Sequence, residues 1–374
     1  MANLTRFNLR DKGAEIWAGW SRPVRTVFVL VFIVLIGLMP FAASWGPTSF
    51  LNTPITSFQN VLVYPVGMFI MMALGLNIVV GKSGLLDLGY VAFFAIGAYS
   101  QGILSTLYGW NTWEVMPFGI GFAMLAGVIL GLPALRLRGD YLAIVTIAAA
   151  EILRLLFLTT AFEPVTGSAD GLFGYNNTGG FAEANPFPVG DYGWGPWTYN
   201  EQTLWMLTFG LIVLAVATLL LWALMRSPWG RVVKGIREDE DAVRALGKNV
   251  FAYKMQALII GGVFGALGGI VLATSTNVSP GVYVTSLTFF LWTALLLGGA
   301  ATIFGPVLGS IIFWVLQAFL TNVLPALAES GILPVSGIQA ATLRYVLVGI
   351  GLMLIVIYRP QGIFGDKREM TFVK

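Results

Sequence analysis

Residues 256–275 read QALIIGGVFGALGGIVLATS, a run without a single charge. A helix rises about 1.5 Å per residue, so some 20 residues cover the roughly 30 Å hydrocarbon core of a bilayer. The run therefore reads as a membrane span, and its glycines as the small residues that let membrane helices approach closely. Immediately before it, residues 226–255 form the most charged part of the chain, with Arg226, Arg231, Lys234, Arg237, Arg244, Lys248 and Lys254. An apolar span beside a basic loop sets the class of protein, and the positive-inside rule puts that loop in the cytoplasm.

Working outward, the same criterion finds apolar stretches near 26–43, 61–80, 88–107, 115–134, 141–160, 203–225, 285–303, 306–324 and 342–358. The expected fold is an all-α polytopic membrane protein of about ten transmembrane helices, with both termini cytoplasmic. Residues 1–25 then form a cytoplasmic segment, 26–358 the transmembrane domain and 359–374 a cytoplasmic tail. The polar stretch before the first span lacks a small-x-small cleavage site and reads as the flank of an anchor. An acidic loop rich in Gly, Asn and Pro, 161–201, lies outside. On this layout all of the 21 cations but Arg154 and Arg344 face the cytoplasm, while the outer loops hold only acids such as Glu114, Glu163, Asp170, Asp191 and Glu329. A missed span would invert everything after it. Tryptophans such as Trp45, Trp110, Trp113, Trp205, Trp222 and Trp229 stand at span ends, as an aromatic belt requires.

The composition agrees. Of 374 residues, 57% are apolar and 10% charged, and mean hydropathy is +0.81. Soluble domains carry about 25% charge, so this chain has too little to cover an aqueous surface, and lipid is its surroundings. A net charge of +3, accounted for by topology, gives no case for nucleic acid. The absence of Cys excludes disulfides, thiolate metal sites and Cys nucleophiles, and the absence of His excludes histidine acid–base chemistry and proton relays.

Charges at membrane depth are costly and need a reason. Glu151 and Arg154 stand at i, i+3 on one face of the fifth span, either as a self-satisfying ion pair or as a polar gate. Asp87 precedes the third span, either as its N-cap or as a pathway residue attracting a substrate ammonium. Asp140, before Tyr141, reads as a cap. Gly81-Lys82-Ser83 is not a phosphate-binding loop, because Gly75 stands too far back and no soluble domain follows.

In the inner loop, Ser227-Pro228 has the form of an N-cap followed by a first-turn proline. Glu238, Asp239, Glu240 and Asp241 crowd the first turn expected of a second short helix, and Gly247 supplies its stop. Ala242, Ala245 and Leu246 then line one side as a small apolar stripe. The loop reads either as a solvated charged segment or as a coupling helix that presses into a soluble partner. Asp241-Ala242-Val243 with Gly247 resembles the EAA---G element by which permeases of ABC importers seat on their ATPases.

Longer blocks carry a wider resemblance. Gly81-Lys82-Ser83-Gly84-Leu85-Leu86-Asp87-Leu88-Gly89-Tyr90, running on to Tyr99, is similar to the signature of LivM-type permeases of branched-chain amino-acid ABC importers. So are Leu135 to Thr146 with Glu151-Ile152 and Arg154, the Ser227–Arg231 and Arg237–Glu240 stretches, Gly298-Gly299 with Gly305-Pro306, and Arg359-Pro360-Gln361-Gly362. The resemblance runs over about residues 61–365, and the first 60 residues lie outside it. Departures occur at Gly281 and Leu287, where relatives often carry acids, and at Ser168, which follows Thr166-Gly167 where relatives usually have a second Gly.

The resemblance implies a type II-like importer half, with Asp87, Tyr90, Glu151 and Arg154 as pathway candidates. It implies that Glu240, Asp241, Ala242, Ala245, Leu246 and Gly247 seat the ATPase. It further implies a homologous second permease, two cytoplasmic ATP-binding subunits that hold ATP and Mg, and an extracytoplasmic solute-binding protein. The substrate would be a branched-chain or other neutral amino acid, in the bacterial inner membrane, with no cofactor in this chain. Permeases for urea or short amides are similar. A stand-alone ion-coupled transporter is the alternative from another class, opposed by the missing His and the unexplained charged loop.

Overall fold

The computed structural model describes residues 65–137, 139–173, 180–194, 197–302, 304–329, 335–358 and 362–363. The expected first span, the N-terminal segment and the tail apart from Gly362 and Ile363 lie outside the described residues.

Pro65–Leu76 forms α1, which continues as a π-helical turn over Asn77–Lys82. Next come α2 (Val91–Tyr108), α3 (Thr112–Ala134) and α4 (Gly139–Leu158). The outer loop holds two short helices, α5 (Glu163–Thr166) and α6 (Gly180–Glu183), and a hairpin of β1 (Asp191–Trp194) with β2 (Trp197–Asn200). The chain re-enters as α7 (Glu201–Arg226), followed by the inner-loop helices α8 (Pro228–Glu238) and α9 (Glu240–Ala245). Finally come α10 (Val250–Ala273), α11 (Thr285–Gly298), α12 (Phe304–Glu329) and α13 (Gly337–Tyr358).

Among the described residues, seven helices are long and apolar enough to cross a membrane, and α1 with its π-turn and α11 are shorter apolar helices. The eighth expected span, 285–303, is thus cut to 14 helical residues. Gly299 takes φ +110° and the chain turns at once into α12. Likewise the expected third span loses its first residues to a non-helical stretch before Val91.

The run that decides the class also forms the centre. Two thirds of the α10 span window is buried, as is two thirds of α2, against 6% of the α13 span window, so α10 and α2 form the centre and α13 the periphery. Their glycines explain why. A Cβ at Gly269 would meet Phe94 carbonyl oxygen and lie 2.7 Å from the Ala98 nitrogen of α2. One at Gly97 would lie 2.5 Å from Ala266 Cα. Helices meeting backbone to backbone replace the hydrophobic drive that lipid cannot supply. At the outer end, Trp113, Phe181, Trp205 and Phe209 form an aromatic cluster, and Trp205 Nε1 donates to the Phe181 carbonyl at 2.7 Å. That cluster ties the outer loop to α3 and α7. On the hairpin, burial pushes the Tyr199 phenol above its usual value.

Candidate functional site

The signature stretch is where the helix breaks. From Asn77 the hydrogen bonds lengthen to π register, with Ser83 N donating to Ile78 O at 3.1 Å, and past the π-turn Leu85 N reaches back six residues to Val79 O at 3.0 Å. Residues 84–90 then run without helix between α1 and α2. Irregular backbone buried away from water survives only when protein satisfies its polar groups. Here side chains from two other helices do so. Leu88 N donates to Thr146 Oγ1 and Val91 N to Thr288 Oγ1, both at 3.1 Å, and Trp292 Nε1 donates to the Asp87 carbonyl at 3.0 Å.

Asp87 is 2% exposed in the middle of this stretch. It is not the N-cap of α2, as one sequence reading had it: that position is Tyr90. Asp87 lies three residues too early, and its Oδ1 instead accepts from Gly89 N at 2.9 Å, closing a tight Asx turn. Its Oδ2 is buried with no hydrogen-bond partner. Tyr90 is fully buried and donates to the Gly261 carbonyl at 2.7 Å, clamping α2 to α10. Asp140 is also not a cap; it sits within the first turn of α4, where it still meets the positive end of the helix dipole.

Glu151 and Arg154 pair within α4. Arg154 Nε lies 3.0 Å from both carboxylate oxygens, and Nη2 bonds Oε1. Their side chains remain 39% and 21% exposed, so the pair looks outward from this chain's own bundle. The structure brings them together but leaves them apart from Asp87 in the contacts it shows. Because an unpaired charge at membrane depth is the expensive state, Arg154→Met is expected to lower the yield of folded protein more than Glu151→Gln/Arg154→Met. Yield and thermal unfolding in detergent compare the two; equal losses would contradict the ion-pair account.

In the inner loop, Ser227 does precede Pro228 at the start of α8, but its hydroxyl donates back to the Leu224 carbonyl at 2.6 Å rather than capping. The acidic run divides between two helices: Glu238 ends α8, and Asp239 caps α9 by accepting from Ala242 N at 3.0 Å. Glu240 is held by Arg244 and by Lys254 at the start of α10, and Asp241 pairs with Arg244 at 2.8 Å. The two Arg244 pairs lie within α9, and the Lys254 pair ties it to α10. A cleft of about 270 Å³ opens beside it, lined by Leu135, Arg244, Lys248 and Phe251 among others. Val243 turns inward, while Ala242, Ala245 and Leu246 are exposed, Leu246 at 79%. Gly247, at φ +74°, ends the element.

Two residues with clear roles escaped the sequence reading. Arg237, read as a loop cation within a family-like stretch and given no contact, donates from Nη1 to the Gly81 carbonyl at 2.6 Å. Asn77, a lone amide in an apolar span, bonds both Ala301 N and Thr302 O. The signal for Asn77 was available: a buried amide without partners is costly, so its presence announced a distant polar contact.

A family profile described as branched-chain amino acid transport system / permease component matches residues 59–358. The high-affinity branched-chain amino acid transport system permease protein LivM of Escherichia coli K12 is 30% identical over 357 residues, covering 93% of this chain and 77% of that protein. A probable branched-chain amino acid transport permease protein LivM of Methanocaldococcus jannaschii is 28% identical over 79% of this chain and 85% of its own length. A nucleoside ABC transporter permease protein, NupC of Lactococcus lactis, is 22% identical over 81% of this chain and 93% of its own. No solved structure matches the chain.

Proposed function

This chain belongs to the family of permease components of branched-chain amino acid transport systems, and from that premise we propose that it forms the translocation pathway of an ATP-driven importer together with a homologous second permease subunit. It is a translocation subunit of a multi-pass membrane protein class and not itself an enzyme. In this reading two cytoplasmic subunits bind ATP and Mg, an extracytoplasmic binding protein delivers the substrate, and the complex sits in the bacterial inner membrane. The cargo is a branched-chain amino acid.

The observation that carries the reading is the geometry of α9. A capped short helix, braced by Glu240 to Arg244 and Lys254, presents Ala242, Ala245 and Leu246 to solvent beside an otherwise charged surface. An apolar knob held rigid by ion pairs suits insertion into a soluble partner, and a merely solvated loop needs neither bracing nor knob. The translocation route runs along the unwound 84–90 stretch, where the spare oxygen of Asp87 and the Tyr90 clamp stand. Glu151 and Arg154 turn toward the second permease, since lipid would not tolerate them. On the outside, exposed Asp191 and the neighbouring Glu201 meet cations on the rim of the binding protein.

The test is transport. The chain reconstituted alone in vesicles should accumulate no leucine, isoleucine or valine, with or without an ion gradient. Co-reconstituted with its permease partner, ATPases and binding protein, it should accumulate them on addition of ATP. Uphill uptake by the isolated chain under a sodium or proton gradient would establish the ion-coupled alternative instead.

A further inference from the structure

The inner loop and the broken helices are joined by three hydrogen bonds in series, and every one of them spans more than 150 residues of sequence. The series begins in the loop. Ile236 of α8, Val243 of α9 and Val250 of α10 share one apolar cluster, so α8 and α9 form one body with the knob at Leu246. From the end of α8, Arg237 reaches the Gly81 carbonyl in the π-turn. The chain leaving that turn passes against the same side chain: a Cβ at Gly84, where φ is +71°, would lie 3.1 Å from Arg237 Cγ.

Gly81 in turn has no room for a side chain, because a Cβ there would meet Asn77 Oδ1 and lie 2.6 Å from Ala301 N. Asn77 accepts from Ala301 N at 2.8 Å and donates to Thr302 O at 2.7 Å. Ala301 holds φ +70°, and Thr302 Oγ1 accepts from Gly305 N in the first turn of α12. On the far side of this turn, Ile363 N donates to the Leu297 carbonyl at 2.8 Å. The two places so linked, the π-turn leading to Asp87 and the turn between α11 and α12, are the points where described apolar helices are interrupted. Such interruptions are where transporter helices shift, and π-turns recur at functional sites.

We propose that Arg237 is the positioning residue that carries movement of the inner loop into the membrane domain, by holding α8 to the π-turn and, through Asn77, to the α11–α12 turn. The inference rests on the coupling role proposed for the loop. Each joint is a hydrogen bond in a partly or fully buried place, where an unmade bond is costly, so the series behaves as a rigid link and the unwound 84–90 stretch takes up the motion.

The complete complex in proteoliposomes tests this. Arg237→Met should leave the ATPases co-purifying and ATP hydrolysis near the wild-type rate, while uptake per ATP falls roughly tenfold. Arg237→Lys, which retains a donor, should recover most of the loss, and adding Asn77→Ala to Arg237→Met should lower uptake no further. Equal losses of hydrolysis and uptake, unchanged uptake, or losses that multiply in the double variant would overturn the proposal. The wild-type complex gives a second readout that no folding defect can obscure. A non-hydrolysable ATP analogue should change amide exchange in 78–84 and 301–305 together with 228–247; a change confined to 228–247 overturns the link. If the wild-type ATPases do not co-purify at all, it is the coupling role of the loop that fails.

Discussion

Leu246→Asp is expected to leave the protein folded in the membrane and to stop ATP-driven uptake. The side chain is 79% exposed, its helix is braced by Glu240, Arg244 and Lys254, and the inward contact of the element belongs to Val243. The substitution therefore removes nothing from the permease's own core. Against a partner ATPase the effect is large. Losing the buried Leu costs about 2 kcal/mol, and placing an unpaired carboxylate in the same apolar socket costs about 1–3 kcal/mol more. Together these lower the affinity for the ATPase, and with it coupled uptake, by roughly two to four orders of magnitude. Radiolabelled leucine uptake and co-purification of the ATPase measure both. Wild-type uptake in a variant that inserts normally would remove Leu246 from the docking surface.

The same residue shows what was legible in the sequence. Its position at the end of a capped, acid-fronted helix followed by Gly247 could be read because capping and the left-handed stop are local chemistry. The apolar runs from 88 onward were legible for a similar reason: periodicity and length suffice to mark a helix in lipid. What local chemistry could not deliver was the fate of helix ends set by distant partners. Asp87 has the local form of a cap, yet the chain around it stays unwound because Thr146, Thr288 and Trp292, far away in sequence, satisfy its backbone. The expected span 285–303 stops early because Gly298 packs on Gly305 and Gly309, a contact invisible until the two helices are folded together. For the candidate site, residue types were readable and partnerships were not. Glu151 and Arg154 were the exception, since an i, i+3 spacing is itself a contact.

Gly269→Leu is expected to abolish the folded bundle, and Gly349→Leu to leave it intact. Both glycines lie inside helices of an apolar protein, and in both leucine raises intrinsic helix propensity by roughly 1 kcal/mol. Propensity and hydropathy therefore predict the same mild gain at each. Packing separates them. At Gly269 even the first carbon of a side chain would press on the Phe94 carbonyl and the Ala98 nitrogen of α2, which are backbone atoms without a rotamer to escape into. Relief requires α2 and α10 to move apart along their whole contact, which includes the Gly97–Ala266 approach and the Tyr90–Gly261 hydrogen bond. Overpacking of this kind costs about 3 kcal/mol or more, and in lipid no hydrophobic drive holds separated helices together afterwards. At Gly349 nothing lies within 4 Å of the added carbon. Size-exclusion profile and thermal unfolding of the two variants in detergent should diverge sharply, with Gly269→Leu aggregated and Gly349→Leu indistinguishable from the parent. If both variants stay monodisperse with parental stability, close approach of α2 and α10 is not what holds the bundle together. Since Asp87 and Tyr90 stand at the head of α2, loss of that approach would also displace the proposed route, so partial refolding of Gly269→Leu in lipid should restore assembly with the ATPases before it restores uptake.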